Sequence, residues 1–174
     1  MRTHPARLIA PNHIGAQQVF LTLCTANRKA VFIHPPIVEF VQLHFLHTAP
    51  TLGFEIPAYC FMPDHLHALV ASSAPSADLH NFVRVAKQRT AFHFKARHGE
   101  ALWQQSYFDR TLRENEDPFA VIRYIVDNPV RAGMVKSPEQ YPFWGSQTYT
   151  RETILEYIRG PGPEGPGLRR SPRT

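Results

Sequence analysis

The sequence has little cysteine, no long apolar run and almost no net charge in its central part. Its two cysteines, Cys24 and Cys60, lie in separate apolar stretches, which excludes a disulfide framework and is typical of small buried side chains. The longest apolar run is the five residues 58–62, whereas a membrane-spanning helix needs ~20 such residues and a signal peptide ~7–15. We therefore expect a cytoplasmic protein that does not bind membranes.

The length of 174 residues suits one compact domain, and a composition of 43% hydrophobic and 19% charged residues is globular. Charge balances between residues 14 and 158, so the net charge of +5 comes from the two ends. Residues 159–174 contain four glycines and four prolines and little apolar surface. We therefore expect an N-terminal arm at 1–13, a domain at 14–158 and a flexible basic tail at 159–174.

Apolar periodicity and turn residues predict the element order β-α-β-β-α-β-α. The predicted strands are 19–25, 54–62, 66–72 and 102–112, and the predicted helices are 37–47, 79–98 and 117–128. The first helix is expected to end before Pro50, because proline removes a backbone donor. The order is that of an α+β, ferredoxin-like split βαβ fold, an antiparallel sheet with helices on one face, plus one C-terminal helix.

Two histidines, His65 and His67, lie two residues apart on the third predicted strand. Because side chains alternate faces along a strand, both imidazoles are expected to point the same way. Two neutral imidazoles on one face form part of a facial metal site. Half-buried histidines with satisfied hydrogen bonds are the ordinary alternative, although two polar rings in an apolar strand need a polar partner.

The last predicted helix places Tyr124 and Asn128 four residues apart, one above the other at the edge of its apolar face. A neutral phenol is a poor nucleophile at neutral pH, so it requires a divalent cation nearby, and the histidine pair offers a place for one. The alternative is a helix-surface tyrosine and a C-terminal cap before proline.

Residues 79–98 contain five Lys and Arg side chains and no acidic residue. Such a basic stripe is expected for contact with a phosphate backbone or for a solvated helix face. The candidate phosphate contacts are Arg84, Lys87, Arg89, Lys95 and Lys136. The candidate platforms for stacking unpaired bases are Trp103, Tyr107 and Phe108, which fit a core equally well.

Four segments occur in an order and spacing that resemble a known family: MPDHLHALV, LWQQSYFDRTLR, RYIVDNPVRAGMV and YPFWGSQTY. Together with the opening VFLTLCTANRKAVF, they resemble the REP-associated tyrosine transposases of bacteria over residues 18–149. These belong to the single-tyrosine HUH endonucleases of the insertion-sequence transposase superfamily. The resemblance implies a ferredoxin-like core that cleaves and rejoins single-stranded DNA beside palindromic hairpins.

The resemblance also implies roles for single residues. Tyr124 corresponds to the nucleophile that forms a 5′-phosphotyrosine linkage, and His65, His67 and Asn128 correspond to the ligands of Mg²⁺ or Mn²⁺. Glutamine is frequent at the position of Asn128 in insertion-sequence relatives. The REP-associated branch implies a monomer, whereas the insertion-sequence relatives resemble dimers that share tyrosines.

Three other functions remain open from the sequence. A domesticated hairpin-DNA-binding protein would keep the fold without strand transfer. A phosphodiesterase for small molecules would need a concave apolar pocket and no basic helix. A nicking initiator of plasmid replication would share the chemistry but differs outside the histidine pair.

Overall fold

The computed structural model describes residues 17–160, which form one five-stranded sheet with five helices. The strands are β1 (Gln18–Cys24), β2 (Phe54–Met62), β3 (His65–Ser72), β4 (Phe108–Thr111) and β5 (Trp144–Gly145). The helices are α1 (Pro35–Thr51), α2 (Leu79–His98), α3 (Pro118–Val126), α4 (Asn128–Arg131) and α5 (Arg151–Arg159). The predicted arm at 1–13 and tail residues 161–174 lie outside the described residues.

The sheet has the strand order β4-β1-β3-β2-β5, and every neighbouring pair is antiparallel. The first four strands have the order of a split βαβ fold, which confirms the predicted α+β, ferredoxin-like class. The central strand β3 pairs with β1 along residues 65–71 and with β2 over most of its length. Side chains on β3 therefore stand on the most firmly paired part of the sheet.

The two faces of the sheet carry different helices. α1 and α2 pack on one face, where Leu66, Ala68 and Val70 of β3 join their core. α3 and α5 pack on the opposite face, where Leu69 joins a second core with Phe20 of β1. Because β3 alternates, residues 65 and 67 share the face of Leu69 and lie on the side of α3.

The predicted starts of two helices are confirmed. The Asp78 carboxylate accepts a hydrogen bond from the backbone N–H of Asn81 at 3.1 Å and begins α2. The Asp117 carboxylate accepts from the N–H of Phe119 at 2.9 Å and begins α3. α2 ends before Gly99, whose φ of 73° is the left-handed conformation expected after a helix.

The first helix continues through Pro50, so the prediction that it ends earlier is wrong. Proline cannot donate the backbone hydrogen bond that the carbonyl of Leu46 would receive in a regular helix. The side-chain amide of Gln147 donates to this carbonyl instead, at 2.7 Å. A residue about a hundred positions away thus supplies the missing donor, and the helix extends to Thr51.

The predicted strand 102–112 is correct only in its last part, because β4 spans Phe108–Thr111. Residues 102–107 form irregular chain, with a single bridge between Trp103 and Thr25. The predicted helix 117–128 ends at Val126, and a separate short helix, α4, begins at Asn128.

The C-terminal part contains elements that the sequence did not predict. β5 extends the sheet beyond β2. α5 packs on the same face of the sheet as α3 and follows it in the chain, so the nucleophile candidate does not lie on the last helix. α5 ends at Arg159, which places the predicted boundary between domain and tail one residue inside a helix. Within residues 17–160, no helix is long and apolar enough to cross a membrane.

Candidate active site

The two imidazoles of β3 lie side by side on the α3 face of the sheet. The Nε2 atoms of His65 and His67 are 3.0 Å apart, and the ring centroids are 4.5 Å apart. The strand sets this arrangement, because residues two apart project from the same face. Both rings thus project from one face, as the alternation predicts, with their Nε2 atoms at hydrogen-bond distance from each other.

Each histidine is held at its other ring nitrogen by a partner outside the pair. Nδ1–H of His65 donates to the Asp64 carboxylate at 2.6 Å. Nδ1 of His67 lies 2.9 Å from the hydroxyl of Thr22, its direct neighbour on β1. Histidines that bind metals are usually oriented by such a carboxylate or polar group on the second nitrogen. The Nε2 atoms are therefore positioned to act together as ligands.

Burial keeps His67 neutral. Desolvation is the main cause that lowers its pKa to about 3; electrostatic interactions with His65, Arg131 and Arg28 lower it further, and Asp64 opposes them. A neutral imidazole retains the lone pair that a metal needs. The two arginines also mark the site as an electropositive place on the sheet.

The donor set fits a divalent cation. Two nitrogens that share one cation at right angles with metal–nitrogen bonds of ~2.1 Å lie ~3 Å apart, which matches the 3.0 Å between the two Nε2 atoms. In the part of the chain that the structure describes, no group of three or more His, Cys, Asp and Glu side chains is placed to hold a metal. A cation at this pair would therefore take its further ligands from other oxygens, such as those of an amide, water or phosphate.

Tyr124 of α3 lies next to the histidine pair and keeps 49% of its surface exposed. Its ring centroid is 6.3 Å from that of His67. Phe20 of β1 contacts both rings, stacking on His67 at 5.2 Å and meeting Tyr124 edge-on at 5.8 Å. The phenol is thus anchored at its ring and open to solvent, as a group that attacks a large substrate must be.

Asn128 lies at the start of α4 and is half-buried. Asp127 interrupts the helix between Tyr124 and Asn128, so the two residues do not belong to one continuous helix. The role of Asn128 as a metal ligand stays a prediction.

The sequence reasoning missed Arg131. Its guanidinium carbon lies 3.8 Å from the centre of the Tyr124 ring, and its Nη1 donates to the Tyr124 carbonyl at 2.8 Å. Stacking of a guanidinium on an aromatic face is favourable and fixes the ring orientation. The available signal was its spacing, seven residues or two turns after Tyr124.

The candidate phosphate contacts on α2 lie on the opposite side of the sheet from Tyr124. Arg84 and Arg89 are exposed, with hydrogen bonds to side chains of their own layer. Lys87 donates to the carbonyls of residues 104 and 105. Lys95 is exposed on α2 and Lys136 in the chain after α4. The role of all five residues as contacts to DNA phosphates stays a prediction.

The three candidate stacking platforms have different surroundings. Trp103 is only 8% exposed and its indole N–H donates to the Thr90 hydroxyl at 2.8 Å, which favours the core alternative, and its stacking on bases stays a prediction. The Tyr107 hydroxyl pairs with His80 at 2.7 Å. Phe108 is 57% exposed and lines a cleft of about 340 Å³ that also contains Tyr124. Tyr107 and Phe108 stay predictions.

The Thr22 hydroxyl gives a prediction about metal affinity. Thr22→Val keeps the side-chain shape but frees Nδ1 of His67, so we expect Mn²⁺ affinity to fall ~10–100-fold. Titration of Mn²⁺ followed by electron paramagnetic resonance measures the change. Thr111→Val, on exposed β4, is the matched control. A Mn²⁺ affinity of Thr22→Val equal to that of the wild type would show that Thr22 does not orient His67 for metal binding.

The relatives of this chain are named tyrosine transposases, a class of DNA-cleaving enzymes. The chain belongs to the family described as "Transposase IS200 like", whose pattern matches residues 15–128. The resemblance noted in the sequence is thereby confirmed.

Individual relatives agree with this assignment. A Haemophilus influenzae protein named as a candidate REP-associated tyrosine transposase is 26% identical over 137 residues, which are 71% of this chain and 76% of that protein. The REP-associated tyrosine transposase of Escherichia coli is 27% identical over 90 residues, 52% of this chain and 53% of that protein. A solved REP-associated tyrosine transposase bound to a REP hairpin has the same fold, with a TM-score of 0.67, 22% identity and coverage of 83% and 82% of the two chains.

Proposed function

We propose that this chain is a metal-dependent endonuclease and strand transferase for single-stranded DNA beside palindromic hairpins, with Tyr124 as its nucleophile. The observation that carries the proposal is that an exposed phenol lies next to two imidazoles: the Tyr124 ring is 6.3 Å from that of His67, and the two Nε2 atoms are 3.0 Å apart. A solved relative of the same fold is described as bound to a REP hairpin, which supports hairpin DNA as the substrate.

In this reaction the Tyr124 phenol loses its proton and its oxygen attacks the scissile phosphorus. The bond to the 3′ oxygen breaks, which leaves a 5′-phosphotyrosine and a free 3′-hydroxyl. Phe20 contacts the ring edge-on and Arg131 lies over its face, so little orientational freedom is lost in the attack. One phosphodiester replaces another, so a second 3′-hydroxyl can reseal the strand without ATP.

His65 and His67 are the proposed ligands of Mg²⁺ or Mn²⁺, with Asn128 as a further ligand. A cation bound there would polarise a non-bridging oxygen of the scissile phosphate. Contacts of the two Nδ1 atoms with Asp64 and Thr22 hold both imidazoles with their Nε2 atoms 3.0 Å apart. We propose that the chain acts as a monomer, because Tyr124 and His67 of the same chain lie in contact range.

The test uses a single-stranded oligonucleotide that contains a palindromic hairpin, labelled at either end, with Mn²⁺ and a denaturing gel. We expect a covalent protein–DNA band that carries only the 3′-end label, since the 5′ phosphate of the downstream fragment joins the protein. The band should disappear with a chelator. A shifted complex on a native gel without any covalent band would favour a hairpin-binding protein without strand transfer.

A further inference from the structure

The turn after β1 contains two consecutive residues in the left-handed backbone conformation, and neither is glycine. Asn27 has a φ of 52° and Arg28 a φ of 56°. For a residue with a side chain this conformation costs about 1 kcal/mol or more, so it persists only where the surroundings impose it. Such strain is most often found at functional sites.

Buried Thr25 imposes the turn. Its hydroxyl lies 2.8 Å from the Lys29 carbonyl and 2.9 Å from the Asp64 carbonyl, so its single proton is shared between them or donated to one. Its N–H donates to the Asp64 carbonyl at 3.0 Å. The N–H of Ala26 donates to the Leu102 carbonyl at 2.9 Å. The turn is therefore tied to the β2–β3 connection, directly before the histidine pair.

The strained turn brings Arg28 to the edge of the pair. Its Nε lies 3.2 Å from one oxygen of Asp64, whose other oxygen accepts from His65 at 2.6 Å. Its Nη1 lies 2.9 Å from the Cys24 sulfur. The side chain remains 52% exposed. The guanidinium is thus held by Asp64 and Cys24 on the Nδ1 side of His65, with about half of the side chain exposed.

The surroundings of the histidine pair suit the binding of an anion. The proposed reaction brings a phosphate to the Nε2 atoms of His65 and His67, and the planar guanidinium is the side chain best suited to phosphate oxygens. The other arginine near His67 is Arg131, which is engaged with the Tyr124 ring and carbonyl. Arg28 lies on the Asp64 side of the pair, so the two arginines approach it from different elements.

We propose that Arg28 is a catalytic residue that donates hydrogen bonds to the scissile phosphate, and that the left-handed turn exists to place it there. The inference rests on the proposed function, because it assumes that a DNA phosphate occupies the histidine pair. The sulfur and carboxylate contacts hold the guanidinium before substrate arrives, so binding costs less side-chain entropy.

The test couples one arginine to one phosphate. In a Tyr124→Phe background, which leaves the DNA uncleaved, hairpin oligonucleotides carry a neutral methylphosphonate at the scissile position or at either flanking phosphate. Fluorescence anisotropy with a chelator present measures the affinity of each. We expect the scissile substitution to weaken binding ~10-fold with Arg28 present, the value of a charge-assisted hydrogen bond, and less than about two-fold with Arg28→Gln.

Controls separate a phosphate contact from a structural role. Arg97→Gln, on the α2 side of the sheet, should keep the full ~10-fold penalty. Arg28→Ala is a second variant that leaves the Asp64–His65 pair in place and should behave like Arg28→Gln. A full penalty in either Arg28 variant, or a lost penalty at a flanking phosphate instead, would overturn the proposal. The covalent-band assay with Tyr124 intact tests strand cleavage separately.

Discussion

Tyr124→Phe is expected to abolish the covalent protein–DNA band, with a loss of at least ~10³-fold in adduct formation, because the variant lacks the attacking oxygen. The aromatic ring remains, so its contacts with Phe20 and Arg131 remain as well. Hairpin binding and the thermal unfolding midpoint should therefore be unchanged. Denaturing gels measure the adduct, and anisotropy and circular dichroism measure the other two quantities.

Tyr157→Phe is the matched control for that experiment. Tyr157 lies on α5, and its hydroxyl contacts Asp117 at 3.3 Å, away from the histidine pair. It should form the adduct at the wild-type rate. An adduct that persists in Tyr124→Phe and disappears in Tyr157→Phe would assign the nucleophile to the other helix.

His65→Ala and His67→Ala are each expected to reduce adduct formation at least ~100-fold, because each removes one of two imidazole ligands and the charge stabilisation that depends on them. Mn²⁺ binding should weaken in parallel. Adduct rates across a Mn²⁺ titration, together with direct metal binding, measure both effects.

His67→Ala also removes a half-buried ring that stacks on Phe20, so it should lower the unfolding midpoint. His65→Ala leaves the stacking of His67 on Phe20 in place, so it separates this structural effect from the loss of a metal ligand. His47 is exposed on α1, and His47→Ala is the control that should leave adduct formation unchanged. Wild-type metal binding and adduct rates in both β3 variants would exclude the pair as a metal site.

Much of the fold and the centre of the site could be predicted from local patterns. The alternation of a strand is enough to place His65 and His67 on one face, and the acids at 78 and 117 are enough to begin two helices. These features depend only on residues close together in the chain. The order of the elements then determined the split βαβ topology.

The missed features depend on distant partners. Pro50 lies inside α1 because Gln147 donates the hydrogen bond that proline cannot. Trp103 is buried because its ring packs in the core and the Thr90 hydroxyl accepts from its indole N–H. β5 has only two residues, too few for any periodicity. The left-handed turn at Asn27 and Arg28 contains no glycine, which is the usual sequence signal for that conformation.

The central position of β3 means that the two halves of the reaction centre differ in rigidity. The imidazoles stand on a strand bonded on both sides, whereas the phenol belongs to a nine-residue helix held to the sheet by side-chain packing. Local opening would release the helix long before it disturbs the central strand. In the proposed reaction, Tyr124 would then move with its attached DNA strand while the two imidazoles stay in place, which is the motion that exchange of one strand for another would need.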